Sequence, residues 1–135
     1  MAGCAKVELI KAAWDAQAEY DLARIATENP RDMTLYRQSV EAGDTFCLAV
    51  HFEGKRIGTG LVTWLQEDGL VCVVNALAVT SAEGFDAVPE LFELVAEWAR
   101  QRDAEKVRFW TRRAGLVKKT EALGFTRQYV MEREV

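Results

Sequence analysis

The residues best spaced for chemistry lie in 77–98, LAVTSAEGFDAVPELFELVAEW, where an apolar run passes through a short polar loop into an amphipathic segment. In an α/β protein such a junction presents backbone N–H groups at a helix start, and these can hold a phosphate. A phosphate cradle needs glycines for close backbone approach and gains from the absence of acids. This loop carries one glycine, Gly84, between Glu83 and Asp86. At an effective dielectric near 20, a carboxylate about 4 Å from a phosphate charge is opposed by roughly 4 kcal/mol, whereas a helix terminus contributes about 0.3–1 kcal/mol. Repulsion wins unless Asp86 turns away. Asp86 is better suited to cap the helix, with Pro89 accommodated in its first turn.

Other reactive side chains are sparse. His51 is the single histidine, in a strand-like run with no acid or nucleophile at a telling spacing, and reads as structural. Cys4, Cys47 and Cys72 are odd in number and far apart, which suits neither a disulfide framework nor a zinc site and implies a reducing compartment. Cys72 reads as a small core hydrophobe. Arg112, Arg113, Lys118 and Lys119 could meet an acidic ligand, but a solvated face accounts for them.

The elements that must position these groups follow from periodicity. Val7, Leu9 and Ile10 suggest a first strand; Trp14, Ala18, Leu22 and Ile25 share one helical face. Asn29-Pro30 then opens a second helix with Met33, Tyr36 and Val40 as its stripe and Gly43 at its end. TFCLAVHF (45–52) alternates as a strand, EGKR closes a hairpin, IGTGLVTWLQ (57–66) returns, and Glu67-Asp68-Gly69 turns into LVCVVNALAV (70–79). The last of these strands is apolar except at Asn75 and should be covered on both faces. Leu91, Leu94, Val95 and Trp98 form a helical stripe against it. KVRFWT (106–111) reads as a strand, AGLVKKTEAL (114–123) as a helix stopped by Gly124, and FTRQYVMEREV as a final strand with Phe125, Tyr129 and Met131 inward. Trp64, Trp98 and Trp110 read as core or interface residues.

At 135 residues, half apolar and 28% charged, the chain suits one globular domain, 1–135. The N-terminus has no long apolar run, so neither a signal peptide nor a membrane span is expected, and the protein reads as cytoplasmic. The net charge of −4 conceals ten basic and five acidic groups in residues 100–135. Acids interrupt that basic segment and no aromatic-basic platform accompanies it, so nucleic acid is not the expected partner.

The order β-α-α-β-β-β-α-β-α-β, the hairpin EGKRIGTGLV, the segment LAV before the long helix and the ending EALGFTRQYVMEREV resemble the GCN5-related N-acetyltransferases over nearly the whole chain. The resemblance implies an α/β fold with a mixed, twisted sheet of about six or seven strands, helices on both faces, and a gap between the fourth and fifth strands where acetyl-CoA lies. It implies further that Leu77, Ala78 and Val79 line the pantetheine arm and that residues 82–88, including Gly84, face the phosphates. The family's phosphate signature is Gln or Arg, two residues, Gly, one residue, then Gly or Ala. Here Glu83 replaces the basic residue, and Asp86 and Val88, or in the neighbouring register Ala87 and Pro89, take the later positions.

Many members also carry a tyrosine four residues before the glycine of Leu-Gly-Phe, as acid for the departing thiolate. That position is Thr120, whose hydroxyl is far less acidic than a phenol. The carboxylate base of the fourth strand is missing too, Asn75 being its only polar residue. Asn75 and Thr120 are thus the weak catalytic candidates. Two functions stay open. One is a degenerate member of the fold, acting as an assembly or interaction module that meets a protein partner or itself, and virion-associated if phage-encoded. The other is a working acetyl-CoA-dependent N-acetyltransferase acting on a small-molecule or protein amine.

Overall fold

The computed structural model describes residues 7–24, 31–80, 87–111, 114–129 and 131–135. Its elements are β1 (Val7–Ala12), α1 (Ala16–Ala23), α2 (Arg31–Glu41), β2 (Phe46–Phe52), β3 (Lys55–Glu67), β4 (Gly69–Val79), α3 (Val88–Arg100), β5 (Ala104–Arg108) and α4 (Ala114–Glu121). The five strands form one sheet in sequence order, β1 to β4 antiparallel and β5 parallel to β4. Parallel pairing is forced by α3, which carries the chain back to the starting edge of β4. The β2–β3 turn is Glu53-Gly54, both at positive φ (50° and 79°), the twist that a two-residue hairpin prefers.

Helices cover both faces. On one, α3 presents Leu91, Val95 and Ala99 to Leu48, Val50, Val62, Cys72 and Val74. Trp64 and Trp98 stack at 5.4 Å beside them. Each fully buried Leu or Val there contributes about 1.5–3 kcal/mol of transfer free energy. On the opposite face, Ala18 and Leu22 of α1 meet Cys47, Leu61, Ala76 and Ala78, with Met33, Tyr36 and Val40 of α2 closing the layer. Helix α1 starts where Asp15 accepts the Ala18 N–H at 2.8 Å, an N-cap bond worth about 1 kcal/mol.

Three expectations from sequence are corrected. Among the described residues the sheet has five strands: residues 125–129 and 131–135 form none, and Tyr129 and Met131 are exposed rather than inward. Phe125 is held by the rings of Phe92 and Phe109, and Arg127 pairs with Glu121 of α4 at 3.0 Å. The strand expected at 106–111 is Ala104–Arg108, whose last residue pairs with Glu67, and Trp110 beyond it is 71% exposed, which leaves it outside the core. Lastly, the N-cap of α3 is Ala87, which has no side chain able to accept a hydrogen bond; Asp86 lies outside the described residues. Pro89 does occupy the first turn.

Candidate functional site

Strand β4 is apolar along its length, so sequence alternation alone cannot assign its side chains to faces. The ladder with β3 does. Leu61 pairs with Ala76 and Val62 with Val74, leaving Asn75 as the extra residue of a β-bulge. Cys72 and Val74 therefore join the α3 core while Ala76 and Ala78 join the α1 core, although all four are even-numbered. Leu77 and Val79 pack toward α3.

At the bulge the two sides of β4 part company. Pairing with β5 runs from Leu70 to Val73, whereas pairing with β3 continues to Val79 and the Thr80 N–H still donates to Ile57. Antiparallel strands direct the backbone groups of alternate residues to the partner. Since Thr80 and Ala78 face β3 by this rule, the N–H and C=O groups of Leu77 and Val79 point to the side where β5 no longer runs. The result is a strand edge able to bond an extended amide-bearing chain. Ala78 contributes its side chain to the α1 core, where it is 3% exposed. Gly84, with the rest of 81–86, lies outside the described residues. Pro89, at the start of α3, has no N–H to offer an anion.

Among the described residues, the side chains singled out for moving a proton are engaged elsewhere. Asn75 is exposed, and its amide donates to Thr63 Oγ1 at 2.8 Å. Thr120 is 2% exposed, and its hydroxyl faces back along α4 to the carbonyls of Leu116 (2.9 Å) and Val117 (3.2 Å). Phe125 N–H bonds the Thr120 carbonyl in turn, closing the helix at Gly124 (φ 95°). Cys72 is fully buried, which pushes its thiol up to about 11, far from a thiolate at neutral pH. His51 sits half-buried between Glu8 of β1 and Arg56 of β3 in the ladder. Lys118 and Lys119 lie exposed on α4, and Arg112 and Arg113 are outside the described residues.

A charged cluster that sequence reasoning missed occupies the α1 face. Asp21, 1% exposed, accepts from Thr59 Oγ1 (2.8 Å) and Gln17 Nε2 (2.9 Å) and pairs with Arg24 at 3.5 Å. Arg56 donates to Thr59 (3.0 Å) and to Asp15 (2.6 Å). Burial works to raise the Asp15 carboxyl, but the Arg56 hydrogen bond and the Ala18 N–H outweigh it and hold the group below the ordinary carboxylate value. A second bulge, with Ile57 extra on β3, sends Ile57 to the α3 core and Arg56 to the α1 face beside Thr59. The signal in the sequence was Asp21 at the helical spacing of Ala18 and Leu22, an acid on an apolar stripe.

No protein-family model and no curated protein sequence matches the chain. Solved structures do. An aminoglycoside acetyltransferase from an uncultured soil metagenomic sample, in complex with sisomicin, superposes with a TM-score of 0.70 at 10% identity over 96% of this chain and 95% of the other. A ribosomal-protein-alanine N-acetyltransferase from Brucella melitensis gives 0.69 at 14% identity, covering 96% and 99%. A possible acetyltransferase from Clostridium difficile gives 0.70 at 16%, covering 96% and 97%. With helices on both faces, a bulged β4 and a gap opening beside its second half, the chain has the fold of the GCN5-related N-acetyltransferases.

Proposed function

We propose that this protein uses the N-acetyltransferase fold as a non-catalytic interaction module whose acetyl-CoA site is degenerate. Thr120 carries the reading. In the position where the family resemblance puts a phenolic acid, this chain has a buried hydroxyl committed to the carbonyls of its own helix. Freeing it would give up a hydrogen bond worth about 1 kcal/mol. In the sequence, acidic Glu83 and Asp86 take positions of the family's phosphate signature, where like charge opposes a phosphate, and Pro89 removes a donor. Its partner is a protein or a second copy, in the cytoplasm or in a virion.

A second reading has its own support. The outward backbone groups of Leu77 and Val79 would suit the pantetheine amides of acetyl-CoA, and attack of an amine on a thioester gains mainly from proximity. On that reading the acceptor is an amine, as the names of the aminoglycoside and ribosomal-protein-alanine enzymes indicate for those proteins.

Isothermal titration with acetyl-CoA, paired with an assay for released CoA thiol over a panel of amines, separates the two. The module gives neither micromolar binding nor thiol release, and Thr120→Val changes neither result. Micromolar binding with turnover would overturn it.

A further inference from the structure

On the α1 side of the sheet, at the hairpin end, an open cleft of about 360 Å³ lies between α1 and the β2–β3 hairpin. That volume falls within the range of small-molecule sites. Tyr20 gives it an aromatic wall, the half-buried Phe52, whose side chain packs with the α3 core, borders it at the hairpin, Gln17 and Thr80 add polar groups, and Lys55 and Arg56 bring positive charge. Its one acid, Asp21, is already saturated by Gln17, Thr59 and Arg24, with 2% of its side chain exposed. Arg56 is balanced by Asp15 and keeps a buried Nε with no hydrogen-bond partner. Lys55 alone is uncompensated: it is exposed and makes no ion pair among the described residues, Glu53 of the same turn included.

We infer that this cleft binds a small molecule bearing a carboxylate on a flat apolar body. Lys55 neutralises the carboxylate, Gln17 and Thr80 supply hydrogen-bonding groups, and the exposed Tyr20 ring covers the body. A cationic ligand of the same shape is disfavoured, because Asp21, the one acid of the cleft, is already taken by Gln17, Thr59 and Arg24. None of Leu77, Ala78 and Val79 lines the cleft, and the inference holds whether or not acetyl-CoA binds in the gap.

The test is amide NMR of the intact chain titrated with phenylacetate, with phenethylamine as the cation of matching shape and inorganic phosphate as a bare anion. Phenylacetate should shift the amides of residues 17–21 and 52–57 saturably with millimolar affinity. Lys55→Met, a change at an exposed turn, should weaken it by about fivefold. Phenethylamine and phosphate should bind about tenfold more weakly, lacking the charge match or the apolar body. The inference is overturned by the absence of saturation at about 20 mM, by equal binding of phenethylamine, by unchanged affinity in Lys55→Met, or by shifts confined to residues 75–79. Acetyl-CoA titration of the same sample reads the gap separately.

Discussion

The two faces of this sheet are built from different materials. Beneath α3 the packing is apolar, with Leu48, Val50, Val62 and Val74 against Leu91 and Val95. Beneath α1 a small apolar patch shares the interface with Asp21, Thr59, Arg56 and Asp15. Apolar contacts are non-directional, so one group can replace another of like volume. Charged groups in a shared network are not exchangeable, because removing one strands the rest.

Paired substitutions put that contrast to the test. Leu91→Ala should cost about 3 kcal/mol, whereas the volume-conserving Leu91→Met should cost less than about 1.5 kcal/mol. On the other face Asp21→Ala should also cost about 3 kcal/mol, but the near-isosteric Asp21→Asn should recover little and still cost about 2 kcal/mol, since half of its amide is a donor among donors. Urea unfolding reads all four. Full rescue by asparagine would erase the difference between the faces.

A smaller effect is expected from deleting Asn75. The deletion restores a regular ladder and leaves Ala76 to Val79 on their present faces, so the protein should stay folded within about 1 kcal/mol. What changes is the local bend beside the gap, visible as altered amide shifts at Leu77 and Val79. Global unfolding of this variant would mean that the bulge holds the fold rather than shaping one edge of it.

Alkaline pH should weaken the α3 face through Cys72. Its folded value is about 11 against 9.0 for the free thiol, so its contribution is complete below pH 9 and is lost as pH rises toward 11, where the unfolded chain has released its proton first. The urea midpoint should fall over that window, and fall less in Cys72→Ala. Smallest of all, Asn75→Ala removes one exposed hydrogen bond to Thr63 and should stay within about 0.5 kcal/mol.

Much of the scaffold was legible. The stripe Leu91, Leu94, Val95 and Trp98, the alternation in 45–52, the Glu53-Gly54 turn and Gly124 after α4 all announce themselves, because each rests on a local period or a local φ. Failures fell where a distant group competes. The C-terminal segment alternates like a strand, but Arg127 finds Glu121 and Phe125 finds the rings of Phe92 and Phe109. Of the candidate site, Asn75 and Thr120 were visible as residues that depart from a pattern, and what their side chains bond was not.

By itself, then, the sequence determined the order of elements, the buried stripes of the helices and the chemistry available at each position, since these follow from side-chain type and spacing. Only the tertiary structure decided that Asn75 is the residue left out of the ladder, that β4 changes faces there and loses β5 beside it, and that Asp21 and Arg56, thirty-five residues apart, share Thr59. The physical reason is that register and charge pairing are properties of two segments at once, and no reading of either one alone contains them.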